Sequence, residues 1–510
     1  MNNILFLFLI LLLSCSSQEN TSVNSLDVVM TEAGLISGAE KEGVHAFKGV
    51  PFAAPPVGAL RWKAPHRLTS WTDTLSCNEF RASPMQNEPK AFRMWTEEFQ
   101  PPVEPISEDC LYLNVWTPAK STEDKLPVMI WIPGGAFING SGSCPIYDGE
   151  AIAREGIVYV SINYRLNIFG FMAHPELTKE SPHKSSGNYG IMDQIAAIEW
   201  VKKNIKAFGG DPDHITIAGQ SAGSAAVQAV VSSPLSKGLF QGAIAQSGTI
   251  TGRPVRSLKD AEQIGTTLSE KLPEPKIDAM RQLSADSLLT LGNTMPFGTF
   301  SPIIDGYVIT EDVNTVFKKK MHHDVPLMAG WVTGDAMREP KPMDEFKTSA
   351  DAYGRNKEKF FTLFPATSEE VSKASQHKLA LVQGLAYPYT RWAAVNSNNS
   401  FIYQFTHVPV DKPDFPNYGA FHSAEIPYAL HTLSHWDRPW RDEDYAVEKY
   451  MTAYWVNFVK TGNPNGNGLP EWKPYNKADG NMMELGKSPA LRPGLFKAEI
   501  EFFETQSNGQ

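Results

Sequence analysis

The chain has 510 residues, of which 42% are hydrophobic and 20% charged, with a formal net charge of −10. This is the composition of an ordinary globular protein with enough residues for a large core. The negative charge argues against a nucleic-acid partner, because phosphate binding requires a basic surface.

The first predicted element, residues 1–18, is a signal peptide with its tether. Residues 4–13 (ILFLFLILLL) are too few to cross a bilayer core of about 30 Å as a helix, but they suit a signal-peptide core. The stretch Leu12-Leu13-Ser14-Cys15 resembles a bacterial lipoprotein signal, in which Cys15 is lipidated. We expect an exported envelope lipoprotein, in the periplasm or at the outer-membrane surface. The alternative is a secreted protein with an ordinary cleaved signal.

Three further cysteines fall in the rest of the chain. In an oxidising compartment Cys77 and Cys110 can close a loop, which leaves Cys144 alone. The spacing does not choose between this pairing and three reduced, buried thiols.

Short apolar runs then alternate with helical patterns, which predicts an α/β protein with a mostly parallel sheet covered on both faces. Helices are predicted for residues 192–208 and 445–460, and polar residues 258–295 are predicted to form a helical cap. No linker divides the chain, so residues 26–507 are expected to form one domain. The predicted strands are rich in Val, Ile and aromatic residues: 128–132, 157–163, 215–218, 243–246, 327–330 and 401–405.

Ser221 lies between two glycines in the motif GQSAG, residues 219–223, after the strand at 215–218 and before a helical pattern at 224–231. A strand that runs directly into a helix leaves room only for a tight turn, which projects the serine hydroxyl outward. Both glycines are needed because a Cβ would collide with the neighbouring strand or helix. The helix N-terminus adds backbone N–H groups and a positive dipole end. The motif predicts that Ser221 is a nucleophile.

A nucleophilic serine needs a base, and the base needs a carboxylate that orients it. In hydrolases with this serine turn the chain order is Ser, then Asp or Glu, then His. Order alone leaves five late candidates for the base: His377, His407, His422, His431 and His435.

The segment PGGAF, residues 133–137, follows the first predicted central strand. Its small residues let backbone N–H groups approach a substrate oxygen, as an oxyanion hole requires. A plain glycine turn is the alternative interpretation.

Seven long motifs, in family order, resemble the type-B carboxylesterase family, which includes the cholinesterases and bacterial para-nitrobenzyl-type esterases. The resemblance covers almost everything after about Val28 and is closest to a bacterial member. It implies an α/β-hydrolase fold, with a central, mostly parallel mixed sheet flanked by helices. The motifs are FKGVPFAAPPVGALRW (47–62), SEDCLYLNVWTP (107–118), WIPGGAFINGSG (131–142), NYRLNIFGF (163–171), GNYGIMDQ (187–194) with FGGDP (208–212), the serine motif, and GAFHSAEIPYAL (419–430).

The resemblance implies that Ser221 is the nucleophile and His422 the general base. The backbone N–H groups of Gly135, Ala136 and Ala222 match the oxyanion hole. The resemblance also implies structural pairings: a disulfide between Cys77 and Cys110, and ion pairs between Arg61 and Glu108 and between Arg165 and Asp193.

The predicted acid is Asp335, in GWVTGDA at residues 330–336. The family pattern is G-x-N-x-D-E-G, so Asp335 replaces the glutamate and the residues on either side of it also depart from the pattern. Because Asp is one methylene shorter, its backbone must lie closer to His422. The alternatives are Asp305, in a turn that resembles a structural one, and Glu339.

Two features argue against a cationic choline ester. Gln220 stands where the cholinesterases have Glu, and Trp95 lies at a different spacing from their aromatic site, so we interpret it as loop packing or a pocket wall. Further candidates for the pocket wall, each with core packing as the commoner alternative, are Trp331, Phe137, Met295 and Phe297.

The sequence therefore predicts a serine carboxylic-ester hydrolase that acts through an acyl-enzyme on small-molecule esters, with short-chain or aryl esters favoured. No metal and no cofactor are expected, because no zinc or nucleotide motif is found. The alternatives are a non-catalytic, cholinesterase-like binding protein and a specialised deacylase of carbohydrate or plant-derived esters.

Overall fold

The computed structural model describes residues 26–102, 105–252, 254–413 and 415–507. The predicted signal peptide and Cys15 lie outside these ranges. Among the helices of the described residues, none has the length and apolar character that a membrane span requires.

A mixed sheet of eleven strands forms the centre of the described chain, in the order β16-β15-β14-β13-β12-β11-β9-β10-β8-β4-β3. The seven strands from β15 to β10 are parallel, and antiparallel strands complete both edges. Two small sheets, β1-β2-β5 and β6-β7, lie outside it. The strands are β1 Val28–Met30, β2 Leu35–Ser37, β3 Ala39–Lys41, β4 Val44–Pro51, β5 Leu75–Ser76, β6 Ser83–Pro84, β7 Ile106–Ser107, β8 Tyr112–Thr117, β9 Leu126–Ile132, β10 Val158–Ile162, β11 Gly210–Gln220, β12 Gly242–Gln246, β13 Leu327–Val332, β14 Ser400–Phe405, β15 Asn481–Leu485 and β16 Pro489–Pro493.

The six predicted strands are confirmed as β9 to β14, with ends that differ by a few residues. Their residues alternate between two hydrophobic clusters. Ile130 of β9 packs in the cluster that contains the helix after Ser221, whereas Met129 and Trp131 pack in the other cluster. All three side chains are fully buried, so the sheet is covered on both faces. The prediction of an α/β-hydrolase fold is confirmed.

Helices flank this sheet. The predicted helix at 192–208 is α4 with a short 3₁₀ turn that ends at Gly209, whose φ of 77° suits a left-handed C-terminal residue. The predicted helix at 445–460 is α15, which ends at Gly462 in the same way. The predicted cap segment forms α6, α7 and α8. The helices are α1 Glu150–Arg154, α2 Asn167–Phe171, α3 Pro175–Glu180, α4 Tyr189–Asn204, α5 Ala222–Ser232, α6 Leu258–Ser269, α7 Ile277–Gln282, α8 Ala285–Gly292, α9 Val313–Lys318, α10 Met343–Ser349, α11 Lys357–Leu363, α12 Glu369–Leu381, α13 Tyr387–Val395, α14 Ile426–Leu430, α15 Asp442–Thr461 and α16 Lys497–Ser507.

Shorter helical turns connect these elements. They are the 3₁₀ segments Gly58–Leu60, Glu97–Phe99, Pro145–Tyr147, Ile205–Phe208, Pro234–Ser236, Ala350–Asn356 and Leu433–His435, and the π-helix Val382–Ala386.

Candidate active site

Ser221 occupies the tight turn between β11 and α5. Its backbone has φ 59° and ψ −122°, a strained conformation for a residue with a side chain. The N–H of Ser221 donates to the carbonyl of Gln246 on the neighbouring strand (2.8 Å). A Cβ at Gly223 would lie 2.0 Å from the carbonyl oxygen of Ile132, and one at Gly219 would lie 2.6 Å from the backbone of Gly223. The predicted steric need for both glycines is confirmed.

The structure joins Ser221, His422 and Asp335 in one hydrogen-bonded chain. The Oγ of Ser221 lies 2.8 Å from Nε2 of His422, and Nδ1 of His422 lies 2.5 Å from Oδ1 of Asp335. The side chains of His422 and Asp335 are only 7% and 2% exposed. The second oxygen of Asp335 accepts a hydrogen bond from the N–H of Val332 (2.9 Å). A histidine that donates from Nδ1 to the carboxylate can accept the serine proton at Nε2.

The other late histidines have different partners or surroundings. His407 bonds to the buried carboxylate of Asp444 (2.7 Å), and His377 is exposed. His431 lies 3.9 Å from Glu155, and His435 lies 4.0 Å from Asp148.

The two alternative acids lie in other environments. Asp305 accepts hydrogen bonds from Ser185 Oγ and from the backbone N–H groups of residues 307–309, which is the role of a turn-stabilising residue. Glu339 is exposed. Of the three candidate acids, Asp335 is the one that is hydrogen-bonded to His422.

The loop that carries Asp335 directly touches the loop that carries His422. The N–H of Gly334 donates to the carbonyl of Ala420 (2.8 Å), and Gly334 pairs with Phe421 in an isolated parallel bridge. A Cβ at Gly334 would lie 2.4 Å from that carbonyl oxygen. The glycine therefore permits the close approach that the shorter aspartate requires.

The glycine loop 133–137 lies against the serine turn. A Cβ at Gly134 would lie 3.2 Å from Cβ of Ser221. Gly135 and Ala136 have φ values of 109° and 55°, so the loop turns sharply beside the serine. Ala222, the first residue of α5, follows Ser221 directly, so its N–H belongs to a helix N-terminus.

Gln220 and Trp95 both contact the histidine loop. The side chain of Gln220 lies 3.3 Å from Nε2 of His422, and its oxygen accepts from Ser423 Oγ (3.3 Å). The indole N–H of Trp95 donates to the same Ser423 Oγ (3.3 Å), and its ring meets the His422 ring edge-on at 6.4 Å. Trp95 is therefore packed beside the histidine, which is compatible with both interpretations, loop packing and a pocket wall.

The remaining wall candidates divide between three environments. Phe137 lines a cavity beside α5. Trp331 is fully buried in the core, where it packs near Phe496, and Met295 is half-buried against the same core. Phe297 is 79% exposed. The wall hypothesis is wrong for Trp331, because its position on central strand β13 directs it into the hydrophobic core.

The loop of His422 also contains a buried carboxyl that was not predicted from the sequence. Glu425 is fully buried and accepts hydrogen bonds from Ser247 Oγ (2.7 Å) and Tyr403 O–H (2.5 Å). Burial raises the pKa of Glu425 from 4.5 to about 7, although both hydrogen bonds oppose the rise. The available signal was an acidic residue three positions after His422, inside an otherwise apolar motif.

The predicted disulfide between Cys77 and Cys110 is not present; both residues are unlinked, buried thiols. Both cysteines belong to the hydrophobic core cluster. Burial raises the pKa of Cys77 to about 11 and also raises that of Cys110, so both thiols are held protonated.

The two predicted ion pairs are confirmed. The guanidinium of Arg165 donates two hydrogen bonds of 2.7 Å to Asp193, and Arg61 likewise binds Glu108. All four side chains are buried or nearly so, which fits a structural role. Within the described ranges no three His, Cys, Asp or Glu side chains are grouped closely enough to hold a metal ion.

Comparisons with known proteins agree with this architecture. Residues 25–383 and 385–503 match the family model described as "Carboxylesterase family". The chain is 33% identical to fumonisin B1 esterase of Sphingopyxis macrogoltabida, over 91% of this chain and 87% of that protein. It is 32% identical to para-nitrobenzyl esterase of Bacillus subtilis, over 88% and 93% respectively. A solved structure of PNB esterase superposes with a TM-score of 0.81 at 29% identity, over 94% of this chain and 99% of that one. The chain belongs to the carboxylesterase family, whose members are serine enzymes that hydrolyse esters.

Proposed function

We propose that this protein hydrolyses carboxylic esters with Ser221 as nucleophile, His422 as general base and Asp335 as the orienting acid. The observation that carries the proposal is the hydrogen-bonded chain from Asp335 through His422 to Ser221 Oγ, at 2.5 and 2.8 Å. Family membership supports ester hydrolysis as the reaction.

The proposed reaction has two halves. Nε2 of His422 takes the hydroxyl proton as Ser221 Oγ attacks the ester carbonyl, and the negative charge of Asp335 stabilises the imidazolium. The carbon–oxygen bond to the alcohol breaks, the alcohol leaves with the proton from His422, and an acyl-enzyme remains. Water then gives a proton to the same nitrogen, attacks the acyl carbon and releases the acid as Ser221 regains its proton.

The developing oxyanion needs preorganised donors, and we assign this role to the N–H groups of Gly135, Ala136 and Ala222. The contact between the glycine loop and Ser221 supports the assignment, as does the position of Ala222 at the start of α5. The dipole of that helix favours negative charge at this end. One such donor contributes roughly 3–4 kcal/mol to transition-state stabilisation.

Short-chain or aryl esters are the proposed substrates, a choice supported by the names of relatives such as para-nitrobenzyl esterase. Export, lipid attachment at Cys15 and a single domain over residues 26–507 stay predictions from the sequence.

A series of p-nitrophenyl esters from acetyl to dodecanoyl, assayed with the wild type and Ser221→Ala, tests the function. We expect fast hydrolysis of short chains by the wild type and a loss of at least about 10⁴-fold in kcat for the variant. A serine-directed fluorophosphonate should label only the wild type. A Ser221→Ala variant that retained activity would exclude Ser221 as the nucleophile.

A further inference from the structure

The carbonyl group of Ser221 lies against the backbone of Gly248, two residues after the end of β12. A Cβ at Gly248 would lie 2.0 Å from the carbonyl oxygen of Ser221 and 2.9 Å from its Cα. On the other side of the residue, the N–H of Ser221 donates to the carbonyl of Gln246 (2.8 Å). The strained backbone of Ser221 is therefore held at its N–H by Gln246 and confined at its carbonyl by Gly248.

Tyr389 on α13 binds both polar groups of the Gly248 backbone. The Tyr389 O–H donates to the carbonyl of Gly248 (2.7 Å), and the phenolic oxygen accepts from the N–H of Gly248 (3.0 Å). Ser224, in the first turn of α5, donates from its Oγ to the same carbonyl (2.6 Å) and lies 2.8 Å from the phenolic oxygen. Three side-chain contacts thus converge on one peptide group beside the nucleophile.

The surroundings strengthen these hydrogen bonds. The side chains of Tyr389 and Ser224 are both fully buried, and hydrogen bonds in such a low-dielectric environment are stronger than in water. Burial also raises the pKa of Tyr389 above its ordinary value, although the hydrogen bonds with Ser224 and Gly248 oppose the rise. The phenol therefore stays protonated and able to donate.

The π-helix before α13 adds a further link to the same segment. The carbonyl of Gly384, within Val382–Ala386, accepts from Thr249 Oγ1 (2.7 Å). Gly248 and Thr249 are thus both attached to one helical segment, residues 382–395. π-helices are rare and are found frequently at functional sites. This attachment leaves the Gly248 backbone little freedom to move away from Ser221.

We propose that Tyr389 is a positioning residue for the nucleophile: it holds Gly248 against the carbonyl of Ser221 and so keeps Ser221 Oγ directed at Nε2 of His422. This role rests on the proposed function at Ser221. Because Tyr389 is fully buried, it acts through Gly248 and not by contact with the ester.

The loss of the phenolic hydroxyl shows how the positioning works. Gly248 would lose the partner of its N–H and keep Ser224 as a partner of its carbonyl, so the segment could shift away from Ser221. The strained backbone of Ser221 would then relax and move Oγ from its place beside His422. A misplacement of about 1 Å can lower the rate of a reaction about 100-fold.

The test measures hydrolysis of p-nitrophenyl acetate by Tyr389→Phe, which removes the hydroxyl and keeps the ring. We expect kcat to fall about 10- to 30-fold while KM changes by less than about 3-fold. The rate constant for labelling of Ser221 by a fluorophosphonate should fall by a similar factor, because labelling also requires attack by the serine. Ser224→Ala removes one of the two hydrogen bonds to the Gly248 carbonyl, and it should lower kcat about 2- to 5-fold.

Tyr454→Phe is the matched control, because Tyr454 is also a buried tyrosine on a helix and its O–H donates to the backbone carbonyl of Pro470 (2.7 Å). Both tyrosine variants should unfold at lower urea concentrations than the wild type, by similar amounts, but Tyr454→Phe should keep the wild-type kcat. A folded Tyr389→Phe enzyme with the wild-type kcat, with a loss confined to KM, or with a loss that Tyr454→Phe shares overturns the positioning role alone.

Ser224→Ala decides the question if Tyr389→Phe does not fold. A wild-type kcat in Ser224→Ala then overturns the role, and a lower kcat at unchanged KM supports it. A wild type that neither hydrolyses the ester nor reacts with the fluorophosphonate overturns the positioning role together with the proposed function.

Discussion

The serine turn and the acid–histidine pair are held in place in different ways. Ser221 sits at a junction of one strand and one helix, and the two glycines that shape it lie within two residues of it in the chain. Asp335 and His422 are 87 residues apart, and their loops meet through the contact between Gly334 and Ala420. The nucleophile therefore depends on local backbone geometry, whereas its base and acid depend on how distant loops pack at the carboxyl end of the sheet.

Replacing Asp335 by Asn should give the largest loss of activity, because it alters the pair of acid and histidine that distant loops bring together. The Asn oxygen can accept from Val332 N–H, so its amide would donate to Nδ1 and leave Nε2 protonated, unable to take the serine proton. We expect kcat on p-nitrophenyl acetate to fall by about 10⁴-fold with little change in KM. Asp305→Asn, which alters the other buried candidate acid, should lower stability while the folded enzyme keeps its kcat. A loss below tenfold for Asp335→Asn would assign the acid elsewhere.

Gly223→Ala should disrupt the serine turn, which depends on local backbone geometry. The new Cβ on α5 would lie 2.0 Å from the carbonyl oxygen of Ile132 at the end of central strand β9, which cannot move without disturbing the sheet. We expect the free energy of unfolding in urea to fall by about 3 kcal/mol. Gly384→Ala is the control, because open space surrounds that position and no change beyond about 1 kcal/mol is expected there. Equal stability of the two variants would contradict the steric role of Gly223.

The sequence allowed prediction where the determinant is local. The serine motif, the six central strands and both long helices were identified from patterns of a few residues. The antiparallel strands β4 and β8 were missed, because Gly49 and Pro51 interrupt the pattern of β4 and Asn114 that of β8. The choice of His422 among five histidines came only from the resemblance. The contacts of Glu425 with Ser247 and Tyr403 join segments that are distant in the chain.

Glu425, in the loop of His422, should make the stability of the protein depend on pH. Burial raises the pKa of this carboxyl from 4.5 to about 7, so between these values the folded protein binds more protons than the unfolded chain. The free energy of unfolding must then fall as pH rises through this window, by roughly 3 kcal/mol in total. Glu425→Gln removes the titration. In urea melts at pH 5 and pH 8, the wild type should therefore lose about that much relative to the variant. Parallel pH dependences of the two proteins would argue against the raised pKa.

Gly334→Ala should push apart the loops that carry Asp335 and His422. The added Cβ would lie 2.4 Å from the Ala420 carbonyl, so the loops must separate by a few tenths of an ångström or more. Because the clash lies between two loops and not within the sheet, this shift should cost activity more than stability. We expect kcat to fall about 10- to 100-fold while the free energy of unfolding changes by less than in Gly223→Ala. A variant with wild-type kcat would show that the aspartate reaches His422 without the close approach.

The smallest effect concerns the segment between Cys77 and Cys110, which carries Trp95 to the histidine loop. A disulfide closing a loop of this length would add about 3–4 kcal/mol, and a reductant would remove it. Because both sulfurs are unlinked thiols, we expect the same melting temperature with and without a reductant such as TCEP. Alkylation in denaturant without reductant should modify both cysteines, as peptide mass spectrometry would detect. A melting temperature that fell on reduction would mean that a covalent bond holds this segment. An unchanged one would mean that packing and the Trp95–Ser423 hydrogen bond position it, as packing positions the acid and histidine loops.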